Sequence, residues 1–471
     1  MTTDQTSTPE PKPQPFPRTF WTANLTELFE RGAYYAMASF VVIYLGQLGM
    51  GDYWPSTLNG LLWTLVYFLP ILSGAIADHV GFRKALIVAF LLLTGGYFLM
   101  GFPVWLGGAS MSQEVGSAVT ADASVFVPIL GGILLIGLGG SVIKPCISGT
   151  VQKTAAGRAT LAFAIFYMVI NIGSLFGRGV SYFVRKELSL SFIFAVAMGC
   201  SLLALLVVLL LYRDPETLAP PGSPAPPKRS IGKVLINMVL VLKNGRFVLF
   251  LLVSSGFFFL YAQVYNVLPL YLKRVVETDP AVDLYTMANP FVIVFFQLLI
   301  TRLFGKMKPI ASMVVGCLII GASMLINLVP ILLAGGVRLS VLDWLPVGSI
   351  FIILTVALIA FGELFTSART YEYIGALAPK GQEGLFLGYA NLPMAIGALL
   401  GGPVGALIFN DIMCRGAKSR PDGLLDLNQG WAMAGWGVLM LIGLASAAGM
   451  WLYNRWLSSL PPETKTQEAQ A

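Results

Sequence analysis

Charge is scarce in this chain, and its scarcity decides the class. Asp, Glu, Lys and Arg make up 11% of 471 residues, against about a quarter in an ordinary globular domain. Histidine occurs once, at His79, and a lone imidazole cannot anchor a metal site. Four cysteines, Cys146, Cys200, Cys317 and Cys414, are scattered, the first three inside apolar runs, so neither a disulfide framework nor a zinc spacing is present. No metal and no cofactor is therefore expected. The formal charge of +7 does not imply nucleic acid as a partner, because the lysines and arginines form short clusters between apolar runs rather than a phosphate-binding stripe. Residues 1–18 are polar and proline-rich without the apolar centre of a signal peptide, so insertion is expected to rest on the mature helices.

What the chain has instead is length in apolar runs, with 56% hydrophobic residues. Segments of the roughly 20 residues needed to span a bilayer lie at about 23–49, 55–77, 84–107, 125–151, 160–183 and 189–212. They resume at about 246–272, 284–305, 309–334, 346–373, 384–409 and 430–455. The expectation is an all-α membrane protein of twelve transmembrane helices in two six-helix bundles. Its parts are a cytoplasmic tail (1–20), an N-terminal bundle (21–212), a linker (213–245), a C-terminal bundle (246–456) and a second tail (457–471). The linker is proline-rich and then amphipathic over Ile231 to Leu242, a surface helix carrying Lys233 after Lys228 and Arg229. With both ends cytoplasmic, 18 basic residues fall inside and 8 outside, while Arg31, Lys144, Arg178 and Arg369 fall within spans. That bias favours both termini inside. Trp21, Trp54, Trp105, Trp344, Trp431 and Trp456 stand near span ends, as interfacial belts require.

Against this background, Glu27-Leu28-Phe29-Glu30-Arg31-Gly32-Ala33-Tyr34-Tyr35 stands out. Glu27 lies about 9 Å beyond the anchor Trp21 at 1.5 Å per residue, and a charge at the bilayer centre costs about 2.5–3.5 kcal/mol on insertion scales. Spacings of three and four put Glu27, Glu30, Arg31, Tyr34 and Tyr35 on one broad face, which must meet protein or water. Lys144, followed by Pro145, lies about 10 Å from the cytoplasmic end of its span, a depth and sign that make it a candidate partner of Glu27 or Glu30. Asn171 brings an amide into the bundle beside Gly173 and Gly177, which have the spacing of close helix contact. Gly74, Asp78, Gly81, Arg83 and Lys84 occupy the turn between the second and third spans, where glycines permit a tight turn and Asp78 can meet a helix N-terminus. A weak echo, Gly305, Lys306 and Lys308, sits at the matching place in the second half.

The Gly74 to Lys84 turn and the six-plus-six layout resemble the major facilitator superfamily. Within it, Glu27 to Tyr35 resembles the first-helix signature of the proton-dependent oligopeptide transporter family, Glu-x-x-Glu-Arg-Phe-x-Tyr-Tyr. Phe166 to Leu175 is similar to that family's second signature, and Lys144 falls at its helix 4 lysine. Leu260 to Gln263, Asn289-Pro290 and Gly362 to Ser367 extend the likeness over all twelve helices. Gly32 in place of phenylalanine, the lack of a tryptophan in Gly384 to Tyr389, the added charges Arg369 and Glu372, and the short linker are departures.

A short peptide is a zwitterion, and binding it in a low-dielectric cavity needs a cation at one end and an anion at the other. Arg31 and Lys144 supply the positive pole from the first half and Glu363 the negative pole from the second. The resemblance implies the same assignment, with Tyr34, Tyr35, Tyr67, Asn171, Gln263, Asn289 and Ser367 completing the pocket. Glu27 and Glu30, with Arg31 and Lys144, are expected to exchange the coupling proton, and Gly74, Asp78, Gly81, Arg83 and Lys84 to form a gating loop. The expected function is proton-coupled import of di- and tripeptides across the cell inner membrane by a monomer embedded in lipid. Other facilitator substrates, nitrate or another anion in symport or a drug in antiport, are the alternative, and Glu363 repels a simple anion. A membrane enzyme would need a nucleophile with a base, or a metal cluster, within the spans. A sensor would be expected to carry a soluble output domain.

Overall fold

The structure, a computed structural model, describes residues 15–112, 118–155, 159–215, 232, 236, 240, 243–333, 336–342, 345–377 and 389–459. The amphipathic segment expected over Ile231 to Leu242, apart from isolated positions, lies outside the described residues, as do Trp344, Lys380 and the stretch from Gly384 to Gly388.

The first half contains α1 (Arg18–Ala38, continued by Val41–Gln47), α2 (Trp54–Phe68 and Pro70–Val80), α3 (Phe82–Trp105), α4 (Ala123–Thr154), α5 (Leu161–Glu187) and α6 (Leu190–Leu210). The second contains α7 (Gly245–Val276), α8 (Val282–Phe304), α9 (Pro309–Leu332), α10 (Val347–Ile374), α11 (Tyr389–Met413) and α12 (Gln429–Ser459). The ten helices α3 to α12 are each long and apolar enough to cross a membrane, and α2 joins them as a pair bent by 46°. α1 falls outside that test, with Arg18, Glu27, Glu30 and Arg31 on one helix, yet it packs along α5 and α6. Its Glu27, Glu30 and Arg31 are buried in protein, which is how lipid-depth charge is tolerated. Outward faces carry the apolar surface lipid requires, including Leu298, Leu210 and Phe183. Two short hairpins, β1 (Ser340–Leu342) with β2 (Leu345–Pro346) and β3 (Lys418–Ser419) with β4 (Leu425–Asp426), lie on the face opposite the α2–α3 turn.

Several spans are broken where the sequence dictates. Pro70, which has no N–H to continue the ladder, bends α2. A second proline, Pro145, leaves the Ser141 carbonyl without its in-helix donor. The Ser73 hydroxyl of α2 donates to that carbonyl at 2.8 Å, while Gly74 leaves room for the Pro145 ring, 3.3 Å from where a Cβ would stand. Glycines also set two backbone-to-backbone seams. A Cβ on Gly177 would come 2.3 Å from the Gly32 carbonyl oxygen, locking α5 to α1. A Cβ on Gly402 of α11 would come 2.2 Å from the Ser56 carbonyl oxygen of α2, and one on Gly60 would come 2.7 Å from that of Ala398. This second seam joins the two halves.

Candidate substrate cavity and its gates

Between the halves lies a cavity of about 180 Å³, continuous in its lining with a wider vestibule of about 1040 Å³ toward the α2–α3 turn. Arg31, Tyr35, Tyr67, Lys144 and Asn171 face the cavity from the first half, and Asn289, Glu363 and Ser367 from the second. Eight of the ten residues expected to bind substrate therefore meet in one space. The charges are segregated by half: both cations come from α1 and α4, and the carboxylate comes from α10. Glu363 accepts a hydrogen bond from Asn289 Nδ2 at 3.1 Å. Lys144 Nζ lies over the Tyr67 ring at 4.7 Å, a cation–π contact that holds the ammonium without neutralising it. Asn171, which lines the cavity, donates from Nδ2 to the Tyr167 carbonyl one turn back at 2.9 Å.

The remaining expected residues are placed differently. Tyr34 is buried behind the cavity wall, edge-on to Tyr35 and Trp63. Gln263 is fully buried, its amide donating to the carbonyls of Phe259 at 2.8 Å and Gly401 at 3.2 Å, so it ties α7 to α11 instead of lining the cavity. Glu27 and Glu30 sit behind Arg31 and do not face the cavity. Arg31 Nε is 2.5 Å from Glu30 Oε2 and 3.4 Å from Glu27 Oε1. Among the described residues no ion pair joins Lys144 to either carboxylate, so the guanidinium one turn away, not the lysine, is their partner in this conformation. Helix geometry explains the Glu27 contact, since residues at i and i+4 lie one above the other on the same helix.

Tyr167, Tyr261, Thr370, Tyr371 and Asn391 also line the cavity, although none is among the residues expected to bind substrate. Tyr167 stands within the stretch matched to the second signature, but nothing in its spacing separates a lining tyrosine from a packing one. Arg178 was recognised only as a charge within a span; it lies just beyond the cavity and is almost fully buried.

The α2–α3 turn has its own geometry. Gly81 adopts φ +89°, a left-handed conformation open to glycine. The carboxylate that receives the next helix is Asp214, not Asp78: Asp214 Oδ1 accepts from the Arg83 N–H at 2.9 Å. Arg83 reaches the carbonyl end of α6, Nη2 to Leu209 O at 2.7 Å, where the helix dipole favours a cation. Its partners thus belong to its own half. Asp78, Arg83 and Lys84 are exposed, and Asp78 and Gly74 line the vestibule.

The opposite face is sealed by polar links between halves. Arg274 Nη1 pairs with Asp52 Oδ1 at 2.7 Å, Arg185 with Asp279 at 2.6 Å and with Asp283 at 3.5 Å, and Tyr53 donates to Asp411 at 2.8 Å. Asn59 Nδ2 donates to the Tyr265 carbonyl at 3.0 Å and to Asn266 Oδ1 at 3.1 Å. The cavity is therefore closed on this face and open toward the α2–α3 turn.

Two carboxyls at this closed face are held above their ordinary range by burial. Arg274 pulls Asp52 partly back, while hydroxyl donors on Ser349 and Tyr285 do the same for Glu277. The groups facing Asp52 also include Asp411, and those facing Glu277 include Asp279 and Lys186. Asp52 meets Arg274 across the halves, so where closure is what buries it the closed form binds its proton more tightly and acid favours closure, whereas the hydroxyl partners of Glu277 belong to its own half. That advantage is full below the ordinary value of about 4 and is lost as pH rises through the folded values. Measured relative to a fully exposed cysteine labelled at the same pH, which cancels the loss of thiolate in acid, labelling of a cysteine placed at Val282, buried just inside this face, should slow on acidification from about pH 7 to about pH 4, and Asp52→Asn should flatten that relative response. Faster labelling in acid would contradict the sign.

Residues 21–342 match the family model described as Major Facilitator Superfamily. Over 449 residues the chain is 24% identical to dipeptide and tripeptide permease A of Erwinia pyrifoliae, covering 83% of this chain and 86% of that one. It is 26% identical to dipeptide and tripeptide permease B of Photorhabdus asymbiotica across 42% of this chain, a match spanning 37% of that relative's length. An uncharacterized MFS-type transporter of Mycobacterium tuberculosis is 23% identical, with 88% of each chain covered. Among solved structures, a peptide transporter POT in complex with sulfate superposes with a TM-score of 0.71 at 19% identity, covering 94% of this chain and 95% of that one. A POT family transporter in complex with a thioalcohol-conjugated peptide gives 0.72 at 18%, covering 94% and 97%. At these identities the superpositions establish the shared fold, and the match to the family model across more than half of the chain establishes the kinship: this multi-pass membrane protein belongs to the Major Facilitator Superfamily, a family of transporters and not of enzymes.

Proposed function

We propose that the chain is a proton-coupled symporter that imports short peptides, di- and tripeptides, across the cytoplasmic membrane by alternating access. It acts as a monomer with both termini cytoplasmic, and it uses the proton as its coupling ion without metal or organic cofactor. The observation that carries the reading is the pair of opposed poles: Arg31 and Lys144 on one wall of the cavity, Glu363 on the other. A peptide carboxylate suits the first wall and its ammonium the second. The relatives named as dipeptide and tripeptide permeases support the substrate class. The excess of basic residues at the α2–α3 face supports its being cytoplasmic, so the cavity described here is the inward-open form.

Arg31 is held through its Nε by two carboxylates, which compete with a substrate carboxylate for the guanidinium. A proton on Glu27 or Glu30 removes one of these holds and takes the three-residue cluster from a net charge of −1 to neutral, so that the unchanged guanidinium no longer repels a peptide carboxylate through its neighbours. Glu27, the longer contact, accepts no hydrogen bond among the described residues, so its loss disturbs the Arg31 side chain less than loss of Glu30. Reconstituted in liposomes under an inward proton gradient, the protein should accumulate labelled di- and tripeptides in preference to nitrate or cationic dyes. Glu27→Gln should abolish that accumulation while leaving counterflow exchange measurable. Uptake confined to nitrate or dyes defeats the peptide reading, and undiminished accumulation by Glu27→Gln defeats the proton assignment.

A further inference from the structure

Arg178 on α5 is 1% exposed, and among the described residues it has no carboxylate within ion-pair distance. Its guanidinium instead bridges the halves. Nε donates to Thr286 Oγ1 of α8 at 3.1 Å and Nη2 to the Tyr265 hydroxyl of α7 at 3.0 Å. Nη1 donates to Ser174 of its own helix, which lines the cavity. The group lies over the Tyr35 ring at 4.4 Å, and Tyr35 also lines the cavity. Thr286 is a junction in turn, its hydroxyl also sharing a hydrogen bond with Ser39 of α1 at 2.9 Å. A buried cation satisfied only by neutral acceptors is costly to desolvate, so its position calls for a reason beyond packing.

Every contact Arg178 makes across the interface joins the halves between the substrate cavity and the closed outer face. Opening that face must part α5 from α7 and α8, and these hydrogen bonds break together. We propose that Arg178 is the latch nearest the substrate, a positioning residue that holds the cavity shut toward the outer face and senses occupancy through Ser174 and Tyr35. Substrate entering from outside must displace it, whereas substrate leaving through the vestibule need not. This rests on the transporter reading above but not on the substrate being a peptide.

The test follows labelling of a cysteine at Val282, one turn before Thr286, by a membrane-impermeant maleimide applied from the outer face, with Cys414 replaced by serine to remove the half-buried native thiol near that face. Arg178→Gln should raise the labelling rate by about tenfold, the effect of shifting a closed-to-open equilibrium by 1.4 kcal/mol. It should lower KM for substrate offered outside, while KM for substrate offered inside stays nearly unaltered because the inward-open form still dominates the population. Arg178→Lys, which keeps the charge but cannot span Thr286 and Tyr265 together, should fall between, and it carries the test if the glutamine variant does not assemble. Because labelling needs no substrate, its result stands even if peptide uptake fails. An unchanged labelling rate in a variant that melts like the parent, or KM shifting equally on both sides, overturns the proposal.

Discussion

Arg31→Ala is expected to abolish uptake and to cost about 3–5 kcal/mol of stability, the range found when one partner of a buried ion pair is removed. The reason is geometric. Glu27 and Glu30 are 0% and 1% exposed and share a single guanidinium; without it, two carboxylates remain in a site that water does not reach. Thermal unfolding in detergent measures the stability, and liposome uptake measures the function. The two effects separate in a triple variant, Arg31→Ala with Glu27→Gln and Glu30→Gln. Removing the stranded charges should restore most of the melting temperature but no transport, since Lys144 alone is left of the positive pole and both coupling carboxylates are gone. If Arg31→Ala alone melts like the parent, the three residues are not the coupled unit described here.

The second large effect is expected at the seam between α1 and α5. Gly177→Val should prevent stable assembly, because even its Cβ would stand 2.3 Å from the Gly32 carbonyl oxygen. The obstacle is backbone, so no side chain can turn away. Overpacking within a core costs about 1–3 kcal/mol where neighbours can adjust, and here α1 would have to move bodily, taking Arg31 with it. Gly199→Ala in α6 is the matched control, since a Cβ there meets nothing within 4 Å and alanine gains about 0.5–1 kcal/mol over glycine inside a helix. Purified yield and melting temperature of the two variants give the comparison; equal behaviour would mean the α1–α5 contact is looser than its geometry implies. The seam also accounts for Gly32. A Cβ at that position lies only 3.4 Å from Phe176 Cδ1, so a phenylalanine would have to displace the Phe176 ring.

The helices were legible because lipid imposes a length and a composition that few other environments do, and the twelve spans agree with the apolar runs to within several residues. The charged residues were legible for the complementary reason: at membrane depth Glu27, Glu30, Arg31, Lys144 and Glu363 must face the interior. What pattern could not supply was partnership. Depth and sign suggested Lys144 for Glu27 or Glu30, but a guanidinium on the same helix, one turn from Glu27 and next to Glu30 in the chain, pairs with both. The family resemblance implied Gln263 as a pocket amide, and only the position of the Gly401 carbonyl shows that its amide is spent on α11. The bend in α2 follows from Pro70 once looked for, yet an apolar run conceals it, since proline interrupts hydrogen bonding without interrupting hydropathy.

The glycine contact between α2 and α11 bears on how the two halves can rock. Where side chains interdigitate, relative rotation must pass through unfavourable rotamers, and each interlock adds to the barrier. Gly60 and Gly402 present bare main chain to one another, so this part of the interface acts as a smooth bearing about which the bundles can tilt with little friction. The resistance to movement is then concentrated in polar clasps such as Arg274 with Asp52, groups that protons and solutes are able to address.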